Sequence, residues 1–123
     1  MAENESGQVD PRSEPILDEA ALGAVREVMT PPMMDQLIEV MERTSRDTLK
    51  LLIQHLDACD LAQTQRAAHK MKGSAGNLGL RRLWRVTMAI EAAQDIAEAR
   101  RLAGELANLL EDSLGAIRSA TQL

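Results

Sequence analysis

The sequence contains no phenylalanine and no tyrosine, and Trp84 is its single tryptophan. Aromatic residues that favour strands are therefore almost missing. Ala and Leu, both strong helix formers, are plentiful. Hydrophobic residues make up 45% of the 123, so a core can be built, but only from Leu, Ile, Val, Met and Ala. This composition predicts an all-α domain. The lone cysteine, Cys59, excludes an intrachain disulfide, and with only His55 and His69 beside it no structural zinc site is expected. Cys59 is read as a small residue near a helix junction. No apolar run is long enough to span a bilayer. The polar N-terminus has neither the basic nor the apolar region of a secretory signal. A cytoplasmic monomer without metal or cofactor is expected. The net charge is −5, and there is no aromatic platform on which bases could stack. Both features argue against nucleic acid as a partner.

The length suits one domain. Residues Met1 to Pro15 are polar and include Gly7, Pro11 and Pro15. Such a segment cannot bury surface, so residues 1–15 are expected to be a disordered tail and residues 16–123 the folded domain. Asp18 is a plausible N-cap for a short helix carrying Leu22, Val25 and Met29. Thr30-Pro31-Pro32 ends it, because proline belongs in the first turn of a helix. A long second helix follows, from about Pro32 to Leu56, with Met34, Leu37, Ile38, Met41, Leu49, Leu52 and Leu56 close to one stripe. Asp60 to Gln63 has the form of a capping box and opens a third helix, for which Gly79 is a natural stop. A fourth helix is expected over about Leu80 to Asp95 and a fifth over about Ala97 to Ala120. Four long amphipathic helices with short connections make an up-down antiparallel bundle, with the short first helix capping one end.

The stretch Ala67-Ala-His-Lys-Met-Lys-Gly-Ser-Ala-Gly-Asn-Leu-Gly79 carries the chemistry. On an ideal helix, Leu61, Thr64, Ala68, Met71, Ala75 and Leu78 share one face, which must look into the bundle. His69 points roughly 120° from the centre of that face, so it should reach water instead of filling the core. Its own neighbours at helical spacing are Ala62, Gly73 and Gly76, all small. Each helix-interior glycine costs about 0.8–1.0 kcal/mol relative to alanine. At Gly73 the gain is read as access to the imidazole. At Gly76, access and close helix packing are equally good readings. From Leu61 to Ile90 the chain holds Arg66, Lys70, Lys72, Arg81, Arg82 and Arg85 and no acidic residue. This basic face suits an acidic partner or a phosphoryl group. Lys72 lies one turn from His69 and can reach a group bonded to the ring. A neutral imidazole nitrogen is a good nucleophile near neutral pH. Attack on phosphorus asks mainly for positioning and for neutralised oxygens. His55, at the edge of the second helix's stripe and without small neighbours, is read as structural.

His69-Lys-Met-Lys72-Gly73-Ser74-Ala-Gly-Asn-Leu-Gly79 resembles the signature of histidine-phosphotransfer domains: His, any residue, an apolar residue, Lys, Gly, Ser or Ala, and a Gly ten positions after the His. With the following Leu80-Arg81-x-Leu83 it is especially similar to the phosphotransfer domains that end bacterial hybrid sensor kinases of the anaerobic-control type. The resemblance implies that His69 is phosphorylated, that Lys72 supports the phosphoryl group and that Gly73 gives clearance. It implies a response-regulator receiver domain and a hybrid sensor kinase as partners in a two-component phosphorelay. Ala62, Gln65, Arg66, Lys70, Gly76, Arg81 and Arg85 are the expected partner-binding residues. The carrier would have no kinase activity of its own: Lys70 stands where a kinase's dimerising helix typically has an acidic residue, and no nucleotide-binding segment follows. Free-standing and excised forms are both compatible with the sequence. The alternative from another class is a helical adaptor that binds an acidic partner through its basic face without phosphorylation. In that case His69 would be dispensable.

Overall fold

Four of the six helices among the described residues begin where the sequence supplies a side-chain cap. The computed structural model describes residues 13–121. Most of the expected tail, residues 1–12, lies outside the described residues. Helix α1 (Glu19–Val28) starts at Asp18, whose carboxylate accepts from the Ala21 N–H at 3.1 Å. Helix α2 (Pro31–Asp57) is capped by the Thr30 hydroxyl, which accepts from Met33 N–H at 3.3 Å, with proline in its first two positions. Helix α3 (Leu61–Asn77) starts at Asp60, which accepts from Gln63 N–H at 3.1 Å. Helices α4 (Arg81–Glu91), α5 (Ile96–Ala103) and α6 (Leu106–Thr121) complete the six found among the described residues, which contain no strand.

Two tight turns set the path around α3. At its C-terminus, Leu80 N–H donates to Ala75 O at 2.9 Å and Gly79 N–H to Gly76 O at 3.4 Å, with Gly79 at φ +72°. This is the glycine-terminated closure that the sequence predicts. The same pattern joins α2 to α3: Asp60 N–H donates to His55 O at 2.9 Å and Cys59 N–H to Leu56 O at 3.0 Å. Here Cys59, not glycine, takes the positive φ, 56°. Because Asp60 N–H is committed to His55, Gln63 has no reciprocal arm of a capping box to complete.

The chain departs from the expected boundaries twice. The fourth helix stops at Glu91, not Asp95. Residues 92–95 turn the chain, and Asp95 becomes the N-cap of α5 by accepting from Glu98 N–H at 2.8 Å. The expected fifth helix is two helices. Gly104 N–H pairs back three residues to Arg101 O at 3.3 Å, and the regular ladder resumes with Leu109 N–H to Glu105 O at 2.9 Å. A glycine and a tightened last turn thus break the apolar stripe between Leu102 and Leu106.

Ile38, Leu52, Met71, Leu83, Ile90, Leu106, Leu110 and Ile117 are fully buried together. Thr64 and Thr87 join them with their hydroxyls bonded to Asp60 O and Leu83 O. Ser45 and Ser113 are buried with no partner for either hydroxyl among the described residues. Cross-helix pairs give the directions. Gln65 meets Ala93, His69 meets Glu91 and Gly76 meets Trp84, so α3 and α4 run in opposite senses. Arg46 meets Glu111 and Glu42 meets Arg118, so α2 and α6 do the same. The N-terminal segment closes over the α3–α4 turn, where Asp18 N–H donates to Gly79 O at 2.7 Å. Glu14, placed by composition in the disordered tail, is held there by Arg81 and Arg82. Among the described residues, no helix is long and apolar enough to cross a membrane.

Candidate functional site

Helix α3 buries Thr64, Ala67, Ala68, Met71 and Ala75. That face fixes the rotation of the helix, and His69 is carried to the flank beside α4. Its side chain is 68% exposed. The ring is nevertheless oriented: Nδ1 is hydrogen-bonded to Oε2 of Glu91, the last residue of α4. A carboxylate only accepts, so Nδ1 is the donor, and in the neutral ring Nε2 is left with the lone pair. Nε2 has no partner among the described residues.

Lys72, one turn further along α3, donates from Nζ to the other oxygen of Glu91 at 2.5 Å. Glu91 therefore joins an imidazole and an ammonium. The Lys72 hydrogen bond, with a smaller contribution from His69, holds its carboxyl below the usual carboxylate value despite partial desolvation. It is ionised near neutral pH. Gln65, expected in a partner-binding role, is tied within the chain: its Nε2 donates to Ala93 O at 2.9 Å and contacts Ile90 O at 3.5 Å. These carbonyls close the end of α4, so Gln65 steadies the turn that carries Glu91.

The glycines differ. A Cβ on Gly73 would meet nothing within 4 Å, so the space beside His69 is open. A Cβ on Gly76 would lie 3.3 Å from Cδ1 of Trp84, so this position is an intramolecular packing contact. Ala62, Arg66 and Lys70 are exposed, and Arg85 is half-buried. Arg81 lies over the Trp84 ring, 5.4 Å from its centroid, and pairs with Glu14 at 3.2 Å. The expected basic face is thus partly occupied by the chain's own carboxylate. His55 is half-buried at the end of α2, away from these residues in the helix order.

Glu91 was not among the residues singled out in the sequence. The acid-free run ends at Ile90, one residue short of it, and no local spacing links positions 69 and 91. The hairpin supplies a signal that spacing within one helix does not. Positions 69 and 91 each stand eleven residues from Leu80, and positions 76 and 84 each stand four from it. Reflection through the Gly79-Leu80 turn therefore pairs them.

The site can present an oriented imidazole nitrogen to solvent, with a cation one turn away and no overhanging side chain. No group of three or more His, Cys, Asp or Glu that could hold a metal occurs among the described residues. Searches of curated proteins and of solved structures each returned no match. The family model described as "Hpt domain" matches residues 36–120, from the first turns of α2 almost to the end of α6. An exposed histidine on the flank of a helical domain and a match over more than half of the chain lead to one assignment: the chain belongs to the Hpt domain family, whose members are phosphocarrier modules of phosphorelays and not kinases.

Proposed function

We propose that His69 is the phosphorylated residue, and that Nε2 takes the phosphoryl group from an aspartyl phosphate of a receiver domain and returns it to a response regulator. The observation that carries this reading is the pairing of Nδ1 with Glu91 beside an unobstructed Nε2. In the step, the Nε2–P bond forms as the aspartyl O–P bond breaks, and the leaving group is a carboxylate. The imidazole gains positive charge as it attacks. Glu91, already ionised and bonded to Nδ1–H, stabilises that charge. Lys72 is placed to turn from Glu91 toward the equatorial oxygens of the incoming group. Gly73 leaves the line of approach clear.

The four long segments, α2, α3, α4 and the broken α5–α6, are read as an up-down bundle that holds this flank rigid. The proposed docking residues are Ala62, Arg66, Lys70, Arg81 and Arg85, with Gly76 acting through Trp84 and Gln65 through the α4 end. We assign the chain to a bacterial, cytoplasmic relay that includes a hybrid sensor kinase of the anaerobic-control type, with the carrier acting as a monomer. The sequence motif supports this finer assignment.

Incubation with a phosphorylated receiver domain, followed by mass-spectrometric mapping of acid-labile phosphate, tests the reading. Phosphate is expected on His69, none on the His69→Gln variant, and near-normal labelling of His55→Gln. Phosphate retained by the His69 variant, or labelling by ATP with no other component, would overturn it.

A further inference from the structure

The buried hydrophobic residues of this chain are all aliphatic, yet its single tryptophan lies at the edge of the core and only partly inside it. The indole crosses α3 at a position that has no side chain. A Cβ on Gly76 would stand 3.3 Å from Cδ1 and 3.6 Å from Nε1. Arg81 covers the ring on one side, with its guanidinium carbon 5.4 Å from the centroid. The indole N–H finds no acceptor among the described residues, and its nitrogen is not among the sealed polar atoms, so it remains available as a donor.

The location follows from the register of the hairpin. Gly76 is seven residues after His69 on α3, and Trp84 is seven before Glu91 on α4. Two helical turns separate His69 from Gly76, against which the indole packs, about 10 Å at 1.5 Å per residue. A standard interface covers about 800 Å² on each partner, a disc of roughly 16 Å radius. A receiver domain seated over His69 therefore also covers Trp84. Tryptophan and arginine are the residues most enriched where interfaces concentrate their binding energy. Here the two are stacked, one turn apart, on the His69 side of the hairpin.

We propose that Trp84 is the anchor on which the receiver domain is seated, an inference that rests on the phosphocarrier reading above. The indole edge offers apolar contact and its N–H offers one donor, while Arg81, half-exposed and paired with Glu14, lies beside it. The complementary patch on the receiver is an apolar side chain flanked by a carbonyl or carboxylate acceptor. Trp84 does not touch the phosphoryl group. It is a positioning residue, and it acts on encounter and residence, not on the chemical step.

The test uses the whole chain and a receiver domain able to phosphorylate it. Trp84→Leu should raise KM for the phosphorylated receiver about tenfold or more, with the transfer rate at saturation changed less than about twofold. Trp84→Phe should fall between Leu and wild type. A ring that only plugs the α3–α4 seam gives the opposite pattern, a lower Tm with KM unchanged. That pattern would overturn the proposal. A second measurement leaves the chain unmutated. The chain has no tyrosine and one tryptophan, so titration with a tryptophan-free receiver reads Trp84 fluorescence alone. A saturable change in intensity or emission maximum is expected, and a flat signal during productive transfer would overturn the anchor. Binding that perturbs Trp84 without labelling His69 would instead overturn the carrier reading and leave the anchor standing.

Discussion

At the scale of single residues, the proposed site turns on a carboxylate shared between an imidazole and a cation. Glu91 accepts from Nδ1 of His69 with one oxygen and pairs with Lys72 through the other. Glutamine keeps an acceptor at the same place but loses the charge. A hydrogen bond to an ionised partner is roughly twice as strong as a neutral one, a difference of about 1–1.5 kcal/mol. Glu91→Gln should therefore slow phosphoryl acceptance by roughly tenfold, with His69 still the modified residue. A stopped transfer assay against one phosphorylated receiver checks it, and an unchanged rate would remove Glu91 from the mechanism. The proximity of His69, Lys72 and Gly73 was legible because a helix brings these positions together by local spacing alone. Glu91 was not, because its contact is made between helices. Ser45, Thr48 and Ser113 escaped for a different reason: the core stripes were read from apolar residues, and these three fill core positions with small polar side chains.

At the scale of elements, the three glycines around the α3 flank separate by their surroundings. Gly73 has open space where a side chain would go, Gly76 lies against an indole, and Gly79 has a positive φ with Asp18 O only 2.8 Å from the position of a Cβ. Gly73→Gln should raise stability by up to about 0.8 kcal/mol, since glutamine is the better helix former. It should also strongly reduce transfer, because the new side chain stands one turn from the imidazole on the same side. Thermal unfolding and a transfer assay on one variant decide the matter, and a clear drop in Tm would show that Gly73 serves packing. The α2–α3 turn offers the converse case. Cys59 holds a left-handed backbone that costs a non-glycine residue about 1–2 kcal/mol. Glycine removes that cost but loses more chain entropy on folding, and it gives up the 3.1 Å contact of the thiol with Arg100. Cys59→Gly should leave a net gain of about 0.5–1 kcal/mol, read as a higher denaturant midpoint. The caps at Asp18 and Asp60 and the stop at Gly79 were legible because each is a local device. The break at Gly104 had its signal in the glycine, but the leucines continuing on both sides outweighed it. Asp95 and Glu98 form an acidic pair at capping-box spacing that marks the start of α5.

At the scale of the whole molecule, carboxylates join one helix to another. Glu42 is bound by Arg118 and Glu111 by Arg46 across α2 and α6, and Glu91 is bound by Lys72 and His69 across α3 and α4. In each case the hydrogen bond to the cation comes first among the causes that hold the carboxyl below its ordinary value of 4.5. Depressed folded-state values fix the sign. The unfolded chain takes up protons at a higher pH than the folded one does. Stability from these groups is therefore fully present above the ordinary value and is lost as pH falls through the depressed ones. Their weights differ. Glu111 is 57% exposed and its pair is screened, whereas Glu42 and Glu91 are 19% and 27% exposed. Tm should therefore stay nearly level from neutral pH down to about pH 5 and fall steeply below 4.5. Glu42→Gln combined with Glu91→Gln should lower Tm at neutral pH and flatten the acid decline, while Glu111→Gln should change either little. Added salt should narrow the gap between wild type and the double variant, because the charges lie near the surface. Calorimetric scans from pH 7 to pH 3 on the three proteins measure this. Parallel curves for wild type and the double variant would mean that these carboxylates decorate the bundle without joining its helices.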